Sequence, residues 1–149
     1  MSSSAFPSIE SLIPHRHPML LVDELCEYDA KSAVVKAVVR DGLCSVRDGK
    51  MDAHWAVEII AQAIAVLFGY EWVRAGRKVS FGYVIAVDDF TINTDEELVV
   101  GDSMRCSVRL DYEAFPMGVY LGEIHTPNGL WVKAKLKCFL NENFEGMKP

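Results

Sequence analysis

The sequence predicts an α+β chain, one long buried helix set against an antiparallel sheet. Three observations carry that expectation. From Ala53 to Gly69 only His54, Glu58 and Gln62 are polar, and a helix apolar on nearly every face must be wrapped by the rest of its fold. Beyond Val79 the chain alternates apolar and polar residues in runs broken at hairpin spacing by turn signals such as Thr126-Pro127-Asn128-Gly129. The length, 149 residues, is that of one domain with a real core, so a single domain over 1–149 is expected.

Composition narrows the function classes. A formal charge of −6 argues against nucleic acid, which demands a basic surface. The opening MSSSAFPSIE has neither a basic nor an apolar run of the kind that directs export, and the polar residues of the helix argue against a membrane span. Cys26, Cys44, Cys106 and Cys138 lack paired spacing and read as reduced thiols, not as a disulfide framework or a zinc site, which points to the cytoplasm. No metal and no cofactor are expected: His54 and Glu58 would supply two ligands where zinc takes four.

Taken in order, Ser8 to Ile13 reads as a short helical turn capped by Ser8 and stopped by Pro14. Pro14 and Pro18 stiffen the next segment, and Met19 to Tyr28 is expected as a strand. A turn at Tyr28–Lys31 leads to a second strand over Ser32–Arg40. Asp41 to Met51 has turn signals and little periodicity, hence loop. Asp52 is placed as the N-cap of the long helix, which fades at Gly76 with Arg74, Arg77 and Lys78 at its negative end. Strands are then expected over Val79–Asn93 (interrupted at Gly82), Asp102–Tyr112, Met117–His125 and Trp131–Leu140. In the last, Val132, Ala134, Leu136 and Cys138 face inward and Lys133, Lys135 and Lys137 outward.

Three segments carry a resemblance. Leu12-Ile13-Pro14-His15-Arg16-His17-Pro18-Met19-Leu20-Leu21-Val22-Asp23 is similar to the LLPHRYPFLLVD opening of the 3-hydroxyacyl-acyl-carrier-protein dehydratases of bacterial fatty-acid synthesis. Glu58-Ile59-Ile60-Ala61-Gln62-Ala63 resembles their EAMAQA helix segment, and Val99-Val100-Gly101-Asp102 their V-x-G-D turn. The resemblance runs in order over nearly the whole chain and implies the hotdog fold, a curved antiparallel sheet around one central helix. Gly49 to Trp55 looks like a divergent branch of that group, the dehydratase-like proteins of aryl polyene clusters.

The resemblance implies a chemistry. Eliminating water from a 3-hydroxyacyl thioester takes a base for the α-proton, an acid for the departing β-hydroxyl and a donor for the carbonyl. Glu58 matches the family's helix carboxylate, and Ala53 falls where the family presents its carbonyl-binding N–H. The family's histidine lies in a G-H-F-P segment that this chain lacks; the slot falls near Cys44. His54, one turn before Glu58, is the first choice of base, with His15 or His17 as alternatives. Gln62 is expected to orient the carboxylate, and Phe81, Tyr83 and Phe90 to contribute to an acyl tunnel; ordinary core or bracing roles stay open for each. Implied partners are an acyl carrier protein bearing a phosphopantetheine-linked substrate, and a second hotdog subunit, identical or paralogous. The basic residues Arg105, Arg109, Lys133, Lys135 and Lys137, or Arg74, Arg77 and Lys78, could receive the carrier. Two other functions remain open: a non-catalytic acyl-binding or heterodimer subunit, and a hotdog thioesterase.

Overall fold

A computed structural model describes residues 5–77 and 81–141, with backbone only for Phe81, Leu140 and Asn141. A 3₁₀ turn at Ile9–Ser11 is followed by strands β1 (Glu24–Asp29) and β2 (Ser32–Val38). A small hairpin, β3 (Val46–Arg47) and β4 (Lys50–Met51), precedes helix α1 (Trp55–Arg74). The chain ends in β5 (Phe81–Ile92), β6 (Leu98–Val99), β7 (Ser103–Ala114), β8 (Met117–Thr126) and β9 (Gly129–Asn141). The main sheet has the order β1-β2-β7-β8-β9-β5, antiparallel throughout, and β3, β4 and β6 form a second, three-stranded sheet. This is the hotdog architecture that the motifs implied.

The predicted alternation is what buries the sheet's inner face. Met104, Cys106 and Val108 of β7 and Val132, Ala134, Leu136 and Cys138 of β9 are buried against α1, which offers Ile59, Ile60, Ile64 and Leu67. Each such aliphatic side chain contributes about 1.5–3 kcal/mol by leaving water. Two glycines set how close the layers come. A Cβ on Gly122 of β8 would lie 2.4 Å from a methyl of Ile60, and one on Gly69 of α1 would lie 1.9 Å from the backbone oxygen of Leu12. Sheet and N-terminal segment therefore touch the helix at bare backbone. By length and composition the stretch Ala53–Arg74 would suffice to cross a membrane; in this fold it is the core helix.

Four expectations need correction. The first strand begins at Glu24, not Met19, because residues 19–21 are held by a helix side chain instead of a neighbouring strand. The loop before the helix contains β3 and β4, paired at Val46↔Met51 and Arg47↔Lys50. Asp52 is not the N-cap. His54 takes that position without a side-chain cap bond, while the Asp52 carbonyl accepts from Trp55 N–H at 3.1 Å. The irregularities of β5 lie at Val84–Ala86 and Asp88–Thr91, not at Gly82. Val79 lies outside the described residues.

Two motif aspartates are structural. Asp23 accepts from Val38 N–H at 2.7 Å and from both Nε and Nη2 of Arg40 at 3.2 and 2.9 Å, locking β1 to the end of β2. Asp102 accepts from Val99 N–H at 2.8 Å across a turn in which Gly101 takes φ +100°, a region that glycine enters without steric cost.

Candidate active site

The lead-in segment and the helix meet at one amide. Gln62 is fully buried, and its Oε1 accepts from Leu21 N–H at 2.9 Å. Its Nε2 donates to the Met19 carbonyl at 2.8 Å and to Glu58 Oε1 at 2.9 Å. The Leu21 N–H fixes which end of the amide is oxygen, and the other end is then obliged to donate. One side chain thereby pins the chain after Pro18 to α1 and aims the carboxylate one turn earlier.

His15 completes the pair. Its Nε2 lies 3.8 Å from Glu58 Oε1, with the two side chains 29% and 33% exposed. Burial pulls His15 below the ordinary histidine pKa; Glu58 opposes that shift and Arg16 adds to it. The neutral ring, the form a base needs, is thus favoured at neutral pH. Its Nδ1 is buried without a hydrogen-bond partner. Arg16 does not enter the site: it donates to the carbonyls of Ile13, His15 and Glu10 at 2.9, 2.7 and 2.9 Å, holding the 3₁₀ turn and the loop after it in shape.

His54, the first choice from the sequence, is turned elsewhere. Its Nδ1 pairs with Asp52 at 2.8 Å and its side chain is 74% exposed. Residues four apart advance by more than one 3.6-residue turn, so the stripe of His54, Glu58 and Gln62 winds from solvent into the core. His17 is exposed and packs toward Gly42. Cys44 is exposed beside Met19, and burial of its sulfur, with Glu58 adding to the effect, raises its pKa, the wrong direction for a nucleophile. Ala53 sits half-buried in the turn before α1, its carbonyl accepting from Ala56 N–H at 3.0 Å.

His15 and Glu58 line a cleft of about 280 Å³ between α1 and the β5–β9 edge. Tyr83, Val84 and Cys138 form one side; Ala61, Ala65, Phe68 and Trp72 of the helix form the floor. Sequence reading treated the whole apolar helix surface as core and missed this floor. Its signal was available: counted from Glu58 these residues fall at +3, +7, +10 and +14, a single helical stripe. Phe90 is exposed outside the cleft, and the side chain of Phe81 lies outside the described residues.

The basic rows do not merge. Strand β8 separates β7 from β9, so Arg105 and Arg109 are not next to the lysines. Arg105 pairs with Glu27 at 3.0 Å, Lys137 with Asp88 at 3.5 Å and Lys135 with Asp89 at 3.9 Å. Arg74 lies over the rings of Tyr28 and Tyr70, 5.4 and 5.6 Å from their centroids; Lys78 is outside the described residues. Among the described residues no group of three potential metal-ligating side chains is gathered.

Comparison with known proteins bears on the family and the fold. A family model described as ApeP dehydratase matches residues 7–148. The 3-hydroxyacyl-[acyl-carrier-protein] dehydratase FabZ of Xylella fastidiosa (strain M12) is 26% identical over 140 residues, covering 87% of this chain and 84% of that one. Its counterpart from Xanthomonas oryzae pv. oryzae (strain PXO99A) is 27% identical, covering 87% and 88%. Among solved structures, the dehydratase heterocomplex ApeI:P from Xenorhabdus doucetiae superimposes with a TM-score of 0.83 at 20% identity, covering 95% of this chain and 96% of that one. A hypothetical thioesterase with coenzyme A from Streptococcus pneumoniae TIGR4 gives 0.60 at 13% identity, covering 79% and 84%.

Proposed function

The chain belongs to the ApeP dehydratase family, and from that premise we propose that it eliminates water from 3-hydroxyacyl thioesters carried on acyl carrier protein, in fatty-acid or polyene-type synthesis. The observation that carries this reading is the His15–Glu58 pair at 3.8 Å in one cleft, with Glu58 held by Gln62. His15, neutral through burial, takes the proton from C2. The electrons of that C–H bond form the C2–C3 double bond, and the C3–O bond breaks toward oxygen. The proton passes from His15 across the pair to the departing oxygen, which leaves as water, so the enzyme ends as it began. The N–H of Ala53, before the positive end of α1, is the proposed donor to the thioester carbonyl. Tyr83 is proposed to bind the acyl group and Gln62 to position the carboxylate. The free thiols of Cys26 and Cys44 fit a reducing cytoplasm as the compartment.

A second reading is favoured by β5. Among the described residues this edge strand exposes Tyr83, Val84, Ile85, Val87 and Phe90 along an unpaired flank, a surface that asks for cover. A second hotdog subunit is the proposed cover, identical or paralogous. If a paralogue, this chain need only shape the shared acyl site. A likeness in fold is all that connects the chain to thioesterases.

The test incubates the protein, alone and co-purified with a paralogous dehydratase subunit from its own source, with a carrier-bound 3-hydroxyacyl chain. Appearance of the 2,3-unsaturated thioester, lost in Glu58→Gln and His15→Asn, supports the reading. Turnover by the mixed complex that both variants leave intact assigns this chain the non-catalytic role. Release of free carrier thiol in place of the alkene would identify a thioesterase.

A further inference from the structure

The cleft floor has a size gradient that the dehydration chemistry does not use. Apart from Gln62 and Gly69, the buried residues of α1 are mostly Ile, Leu and Val, with Ala56 and Ala63. After Glu58 the helix lines the cleft with Ala61, Ile64, Ala65, Phe68 and Trp72. Ile64 is buried in the core, and the two alanines flanking it leave a trough beside the sheet. Two large aromatics then fill it, their rings 6.0 Å apart and tilted by 32°. Phe68 is anchored from behind by an edge contact with the buried Tyr120, centroids 5.5 Å apart. The wall is therefore stiff on its inner side.

What lies past the wall is space, not core. Phe68 and Trp72 also border a second cleft of about 270 Å³, lined with Glu71, Ala75, Glu113 and Phe115. The two rings thus stand as a partition between an apolar trough that starts at His15 and Glu58 and a more polar one beyond. A structural purpose alone would not require a void on both faces of the same pair.

We propose that Phe68 and Trp72 are the specificity-determining end-stop of the acyl channel, fixing the longest chain the site accepts. The length follows from the helix. Ten residues separate Glu58 from Phe68, a rise of about 15 Å. An extended carbon chain with bonds of about 1.5 Å advances about 1.25 Å per carbon. The trough therefore holds about a dozen carbons beyond the reacting centre at most. Longer acyl groups meet Phe68, and a rigid wall costs about tenfold or more in kcat/KM for each methylene that overruns it. Ala65 is the complementary position, because filling it moves the wall toward Glu58.

This inference rests on the reading of the cleft as an acyl-thioester site, so its test has a second readout that needs no turnover. Carrier-bound 3-hydroxyacyl chains of about six, twelve and sixteen carbons, chosen to bracket the estimated lengths, are assayed with the protein and any partner subunit it requires. Wild type is expected to lose about tenfold or more on the longest chain. Phe68→Ala, or Phe68→Leu if the alanine variant is unstable, removes the first ring the chain meets and raises turnover of the longest chain relative to the shortest. Ala65→Phe brings the loss down to the middle length. In parallel, unesterified fatty acids of the same lengths displace a fluorescent conjugated fatty acid from each variant. If no chain turns over but displacement shows the same length shifts, the dehydratase reading falls and the end-stop stands. Identical length profiles for wild type, Phe68→Ala and Ala65→Phe, in turnover or in displacement, overturn the end-stop.

Discussion

Replacing Gln62 with leucine tests the joint on which the site depends. The two side chains are close in volume, so the change removes hydrogen bonds without leaving a large cavity. Three bonds are lost: from Leu21 N–H at 2.9 Å, to the Met19 carbonyl at 2.8 Å and to Glu58 at 2.9 Å. They are not equal. Leu21 is buried, so its N–H is stranded, at a cost of about 1–3 kcal/mol. Met19 is exposed and its carbonyl can turn to water, which limits that loss to about 0.5–1.5 kcal/mol. Glu58 is a third exposed, so solvent screening takes its bond below the range for charged groups, to about 1 kcal/mol. Better burial of the leucine offsets part of this, leaving a net destabilisation of about 2–4 kcal/mol. With a urea slope near 2 kcal/mol/M the midpoint falls by about 1–2 M, read by circular dichroism at neutral pH. Dehydratase turnover should fall with it even where the protein remains folded, because Glu58 is no longer aimed. A loss under about 1 kcal/mol, with turnover unchanged, would show that Pro14, Pro18 and apolar packing hold the segment without the amide.

Further outcomes follow from other contacts. The folded pKa of His15 is lowered from 6.5, so its neutral form contributes stability that is fully present above 6.5 and is lost as pH falls through the folded value. Denaturation of wild type and His15→Asn should therefore diverge only below that pH, and the acid limb of kcat/KM should bend below 6.5; an acid limb above it contradicts His15 as base. Gly69→Ala forces a methyl into the Leu12 carbonyl and should cost about 3 kcal/mol or more, or prevent soluble expression; near-neutral thermal stability would mean that the N-terminal segment is free to withdraw. His54→Ala removes an exposed pair with Asp52 and a stacked contact with Trp55, centroids 6.1 Å apart, so stability should stay within about 0.5 kcal/mol and turnover should be unchanged; a large loss of turnover would restore His54 to the reaction.

Much of this protein was legible in the amino-acid order alone. The unbroken apolar helix and the period-two runs after it fix a wrapped helix and an antiparallel sheet, because burial leaves few other places for those side chains. The inward row of β9 is buried as its alternation required, and the spacing of Glu58 and Gln62 allows their hydrogen bond, since residues four apart on a helix are neighbours. What the order of residues left open was decided by contacts between segments distant along the chain. His15 is 43 positions from Glu58, and only the docking of the lead-in segment on Gln62 and Gly69 brings them together. His54 looked closer because it is closer in sequence, but the winding of the helix and the pull of Asp52 turn it to water. The open stripe of Ala61, Ala65, Phe68 and Trp72 likewise reads as core until the sheet's edge at β5 shows where the covering stops. Local periodicity specifies which faces must be buried; which face is left open, and what reaches into it, is settled only when the segments meet.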